Sequence, residues 1–147
     1  MKATLLRNGW IVAGDLNPGW MGDVLIADGK IQAMGPVGSL DLSGFDGVDS
    51  FDCTGKVISP GFIDVHTHDD AAVLDQPEML PKLSQGITTV IVGNCGISLV
   101  PMVTAQAAAP LSLLGQAQFR FATLAAYADA VNAAVPAVNV AALVGHT

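Results

Sequence analysis

The sequence predicts a mixed α/β chain in two parts: a small β-sandwich segment over residues 1–56, then parallel strands with helical crossovers over residues 57–147. Three observations carry that prediction. Short apolar runs flank two tight-turn dipeptides early in the chain, Asn8-Gly9 and Asp28-Gly29. The stretch over 57–95 then alternates strand, polar turn, helix and strand. A further strand-like run over 138–144 follows a helical pattern and a proline.

Taken in order, residues 3–7 and 10–12 read as strands around Asn8-Gly9, and 24–27 and 30–34 as strands around Asp28-Gly29. Residues 35–47, rich in Gly, Pro, Ser and Asp, read as loop, and 48–53 as a returning strand. Ser59-Pro60-Gly61 leads into Phe62-Ile63-Asp64-Val65, an apolar run short enough to be a buried strand of a parallel sheet. The crossover helix falls within 75–85, where Asp75 caps it, Glu78 lies three residues later and Pro77 sits near the first turn. Pro81 either kinks that helix or opens a late-starting one. Gly86 closes it, being free to take positive φ. The β-branched run over 87–92 is the next strand.

Residues 95–118 hold no period and are broken by Pro101 and Pro110. Leaving from a strand end, they read as a loop over a pocket, with a short Ala-rich helix near 104–109. Thr123 caps a helix whose apolar stripe is Leu124, Tyr127, Val131 and Val135, and Pro136 stops it.

The chemistry concentrates at two strand ends. His66 and His68 follow the 62–65 strand at once, and a period of two puts both imidazoles on one face. Cys95 sits just past the carboxyl end of the 87–92 strand. Parallel strands joined by a crossover lie side by side or close together, so these three side chains converge at one sheet edge. In an α/β barrel that edge is the active-site face. Imidazoles and a thiolate suit zinc better than magnesium or calcium, which take oxygen ligands. Asp69 and Asp70 are candidates to orient an imidazole, Asn94 to serve the turn or the pocket, and His146 to reach the substrate side.

Pro60-Gly61-Phe62-Ile63-Asp64-Val65-His66-Thr67-His68 resembles the first-strand signature of the amidohydrolase superfamily, metal hydrolases on a (β/α)8 barrel. Ser84-Gln85-Gly86-Ile87-Thr88-Thr89-Val90 with Gly93-Asn94-Cys95-Gly96-Ile97-Ser98 is similar to the N-acyl-D-amino-acid deacylases, or D-aminoacylases. Hydantoinases and dihydroorotases share the His-x-His strand but typically take the bridging position from a modified lysine further along, so Cys95 points to the deacylases.

The resemblance implies that residues 57–147 are the first three or so strands of a truncated barrel, since a whole one takes about 250 residues. It implies that the β segment is completed by strands from the carboxyl end of a longer parent. Zinc is the implied cofactor, one or two ions per site, with Cys95 bridging if two bind and His66 and His68 on a second site. The implied substrate is a small-molecule N-acyl-D-amino acid, hydrolysed to a carboxylate and a free D-amino acid. A late-strand aspartate is the implied general base and middle strands give further histidine ligands, so no catalytic base falls within the 147 residues and the chain alone is expected to be inactive. Asp64 resembles a structural position of the motif. Two other readings stay open: a cyclic-amide hydrolase of the hydantoinase or dihydroorotase kind, and a non-catalytic oligomeric fragment.

Composition bounds the partners. Thirteen acidic against six basic residues, net −7, leave no basic patch for phosphates, which argues against nucleic acid. Cys53 and Cys95 stand in different contexts and make no disulfide framework, which fits a reducing cytoplasm. No apolar run of about eighteen residues offers a membrane span. With 51% hydrophobic residues, the chain is expected to carry apolar surface that self-association would cover.

Overall fold

In the computed structural model, which describes residues 2–115 and 119–146, the first strand runs straight through the Asn8-Gly9 dipeptide that the sequence marks as a hairpin turn. Strand β1 (Lys2–Ile11) absorbs it as a bulge. Its antiparallel register with β2 (Trp20–Ala27) slips between Leu6 and Gly9, and Asn8 takes a left-handed φ of 60°. Neighbouring carboxylates decide between bulge and turn: the Asn8 amide donates to Asp23 Oδ1 at 2.9 Å, and Asn8 Nδ2 donates to Asp52 Oδ1 at 3.2 Å. Asp23 also accepts from the Gly38 amide, which satisfies a carboxylate that is only 3% exposed.

The second dipeptide does turn. Asp28 and Gly29, with φ of 51° and 68°, join β2 to β3 (Lys30–Gly35) as a two-residue hairpin requires. Strands β4 (Gly47–Asp52) and β5 (Val57–Ile58) both pair parallel to β1, giving the order β3-β2-β1-β4 with β5 beside β1. Among the described residues this first unit, which runs up to Pro60, is therefore one five-stranded sheet rather than two facing sheets. The loop over 36–46 supplies the second layer, packing Leu40, Leu42 and Phe45 on Ala3, Leu5, Leu25 and Ala27. The other face carries an apolar cleft of about 200 Å³ lined by Leu6, Ile11, Val24, Ile26, Met34 and Ile58.

The second unit, from Gly61, is built on a parallel sheet. Its elements are β6 (Phe62–Asp64), α1 (Ala72–Asp75), α2 (Leu80–Leu83), β7 (Ile87–Val92), β8 (Met102–Val103), β9 (Arg120–Phe121), α3 (Leu124–Ala134) and β10 (Asn139–Ala142). The order is β10-β7-β6, with β7 paired parallel to both neighbours. The first crossover is two single turns, not one helix capped by Asp75. Asp75 closes α1, and α2 opens after Met79 (φ 45°) with Pro81 in its first turn. Two prolines within five residues remove the amides a continuous helix would need. Gly86, at φ 79°, ends the crossover as its freedom allows.

Residues 97–115 are folded without the Ala-rich helix expected near 104–109. The helical turn is a 3₁₀ segment, Leu111–Leu114, directly after Pro110, and β8 and β9 pair as a short antiparallel ribbon. Residues 116–118, the end of the expected loop, lie outside the described residues. Ile97, Leu99, Val100, Leu111 and Leu114 from this stretch are buried with Val90 and Val92 of β7 and Tyr127 of α3. Helix α3 starts as its sequence indicates, with Thr123 Oγ1 accepting from the Ala126 amide at 3.2 Å. Tyr127 and Val131 bury, whereas Leu124 and Val135 at its ends stay exposed, Val135 leaving the helix at φ 51°. Among the described residues no helix is long and apolar enough to cross a membrane.

Candidate metal centre

Beyond Asp64 the chain stays extended alongside β7, the Thr67 amide donating to the Ile91 carbonyl at 3.3 Å. Strand alternation then turns Thr67 inward, 7% exposed, and leaves His66 and His68 on the open side. On β7 the chain leaves through Gly93, at φ 81°, into a 3₁₀ turn, Asn94–Gly96, in which Cys95 itself has a left-handed φ of 58°. A Cβ on Gly93 would meet the Leu143 carbonyl oxygen at 2.2 Å, so only glycine lets this turn close against the chain beyond β10.

These two turns bring the three predicted donors together. The ligand atoms of His66, His68 and Cys95 all lie within 4.8 Å of one another, and His66 Nε2 is 3.1 Å from Cys95 Sγ. The two rings meet edge to face, centroids 5.8 Å apart. Zinc–nitrogen and zinc–sulfur bonds of about 2.1 and 2.3 Å at a tetrahedral angle would set such atoms roughly 3.5 Å apart. The donor set fits zinc in chemistry, and the 3.1 Å between His66 Nε2 and Cys95 Sγ is close to that spacing. All three residues are exposed, which leaves room for a further ligand.

The acids beside the donors are used to hold them. Asp69 shares its carboxylate with Lys82 Nζ, 2.8 Å away, and with the Thr67 hydroxyl, so it faces that pair rather than a ring. Lys82 Nζ also donates to Asp64 Oδ2 at 2.7 Å, while Asp64 Oδ1 accepts from the His66 amide at 3.3 Å. Burial of Lys82 pulls its ammonium toward neutrality, but the bonds to Asp64 and Asp69 outweigh it and hold the group above its ordinary pKa. The Lys82 bond likewise holds Asp64 below the usual carboxylate range. Asp70, 1% exposed, accepts from the Gly93 amide at 3.3 Å and so ties the histidine turn to the cysteine turn. Burial pushes its pKa up. Tyr127 donates its hydroxyl to the Asp70 carbonyl at 2.8 Å.

Asn94 serves the turn: its Nδ2 donates to the Ile91 carbonyl at 2.7 Å and reaches the Thr67 carbonyl at 3.5 Å. His146 is exposed beyond β10 and stands outside the donor cluster. Sequence reasoning missed Lys82, and it paired Asp70 with an imidazole where the carboxylate instead holds the Gly93 amide. Nothing in its local sequence singles Lys82 out; its partners Asp64 and Asp69 come from the preceding strand end.

A model of the amidohydrolase family matches residues 49–147. The chain belongs to that family. This amidohydrolase chain is 46% identical over 144 residues to the N-acyl-D-aspartate deacylase of Alcaligenes xylosoxydans xylosoxydans, covering 97% of this chain and 28% of that protein. It is 44% identical to the D-aminoacylase of the same organism, over 97% of this chain and 29% of that protein. Among solved structures it is similar to a D-aminoacylase with a binuclear metal centre, at 47% identity and a TM-score of 0.88. It is also similar to the N-acyl-D-glutamate deacylase of Bordetella bronchiseptica in complex with zinc and a phosphonate mimic of the tetrahedral intermediate, at 43% identity and a TM-score of 0.85. Each structural match covers 97% of this chain and 29% of the other, so the chain spans less than a third of the relatives it matches.

Proposed function

We propose that the protein to which this chain belongs is a zinc-dependent amide hydrolase that releases a D-amino acid from an N-acyl-D-amino acid. The observation that carries this reading is the convergence of His66, His68 and Cys95 within 4.8 Å. A cysteine in that cluster is what favours linear N-acyl substrates over the cyclic amides of dihydroorotase-like relatives, and the named deacylases match nearly the whole of this chain.

Bound there, zinc would lower the pKa of a water from about 15.7 toward roughly 7 and polarise the scissile carbonyl. The chain's own residues would hold that ion: His66 and His68 through neutral ring nitrogens and Cys95 as a thiolate. Among the described residues no carboxylate joins the donor cluster. The group that transfers the proton to the leaving amine is thus not one of these three donors, and the chain alone is expected not to turn over substrate. The parallel order β10-β7-β6 supports reading these strands as the first three of a (β/α)8 barrel. The open apolar cleft on the five-stranded sheet supports a second β layer supplied elsewhere in the protein.

The test is hydrolysis of N-acetyl-D-aspartate, N-acetyl-D-glutamate and hydantoin by a polypeptide of its relatives' length that includes this chain. Metal-dependent release of a D-amino acid supports the reading. Turnover of hydantoin alone would replace it with the cyclic-amide reading.

A further inference from the structure

Residues 64, 67 and 69 bracket the two histidines, and the side chains of all three meet one lysine. Lys82 Nζ lies 2.7 Å from Asp64 Oδ2, 2.8 Å from Asp69 Oδ2 and 3.3 Å from Thr67 Oγ1. The ammonium comes from α2, across the crossover, and its side chain is 19% exposed. A lone surface ion pair contributes little, because water competes for both partners and the long side chain loses its freedom. Here one ammonium neutralises two carboxylates at once. Removing it would leave Asp64 and Asp69 facing each other with no counter-charge, and their repulsion would act on the segment that carries His66 and His68. Asp64 also accepts from the His66 amide, so the restraint reaches the backbone of a donor directly.

We propose that Lys82 is a positioning residue, which by pinning Asp64, Thr67 and Asp69 at one point fixes the segment that carries His66 and His68 in the geometry that meets Cys95. This rests on the metal-site reading above for its purpose, though the positioning itself exists without an ion. A salt-bridged ammonium suits the task because it makes three bonds from one point.

The test compares the wild-type chain with Lys82→Met, Lys82→Arg and a control, Leu83→Ala, which weakens packing beside α2 without touching the network. Two readouts are taken: affinity for cobalt(II), followed by its visible absorption, and the imidazole NMR signals of His66 and His68 in the metal-free chain. Lys82→Met is expected to weaken cobalt binding by about 10–100-fold, as loss of a group that orients ligands does, and to shift or broaden both imidazole signals. Lys82→Arg is expected to recover most of the affinity. Leu83→Ala, at a matched loss in melting temperature, is expected to leave both readouts near wild type. Unchanged affinity in Lys82→Met, or an equal loss in Leu83→Ala, overturns the proposal. If the wild-type chain binds no cobalt, the metal reading fails for this chain, and the imidazole signals decide alone: unaltered signals in Lys82→Met overturn the positioning role.

Discussion

His66 Nε2 and Cys95 Sγ stand 3.1 Å apart although 29 residues separate them, because each lies just past the end of one of two paired parallel strands. One metal ion reaching both would cover the thiol. Zinc is therefore expected to protect Cys95 from alkylation while Cys53, in the other unit, continues to react. Counted by mass spectrometry, two modified cysteines without metal should become one with it, and a chelator should restore the second. Protection that persists in His66→Ala together with His68→Ala would show that the thiol is shielded by something other than the proposed ion.

Alkaline stability should report on Tyr127. Burial first, and the Asp70 carboxylate second, hold its phenol well above its ordinary pKa. The unfolded phenol ionises near pH 10 and the folded one later, so above about pH 10 the folded state holds the extra proton. Stability contributed below that value is then lost as pH rises, at about 1.4 kcal/mol per pH unit until the folded phenol ionises. Denaturant midpoints measured from pH 8 to 11 should show this fall. Tyr127→Phe should flatten it, at a neutral-pH cost of about 0.5–1.5 kcal/mol for the lost bond to the Asp70 carbonyl.

The stretch after Cys95 should behave as core. Leu99 is fully buried and Leu113 is 72% exposed. Leu99→Ala is expected to cost about 2–5 kcal/mol, and Leu113→Ala less than about 0.5 kcal/mol, in equilibrium unfolding. Equal, small effects at both positions would mean that the segment is not packed as described.

Gly93 tolerates no side chain. Gly93→Ala places a Cβ 2.2 Å from the Leu143 carbonyl oxygen and forces alanine to φ 81°, a conformation that alone costs about 1–3 kcal/mol. A marked fall in melting temperature is expected, whereas Gly29→Ala, with open space around its Cβ, should suffer only the strain of its φ of 68°.

Local signals marked the strand ends well. Residues 62–65 and 87–92 are short, β-branched and bounded by glycine, so the strand ends and the positions of His66, His68 and Cys95 follow from period alone. Asp28-Gly29 likewise acts through its own backbone, and Thr123 through a hydroxyl that reaches only three residues on. What escaped is tertiary. Asn8-Gly9 carries full turn chemistry, yet Asp23 and Asp52, 15 and 44 residues away, bind Asn8 into a bulge instead. Residues 97–114 show no period because the buried side chains, Ile97, Leu99, Val100, Leu111 and Leu114, come from an irregular path rather than one helix or strand. Lys82 looks ordinary until the fold sets Asp64 and Asp69 before it.

The left-handed backbone at Cys95 gives the proposed ligand a standing disadvantage. At φ 58° glycine is the most comfortable occupant and any side chain adds strain. Replacing Cys95 by glycine would relax the turn and delete the thiol in one step. Random mutation screened only for thermal resistance would therefore tend to erase the thiol, so retaining it demands selection on something other than folding.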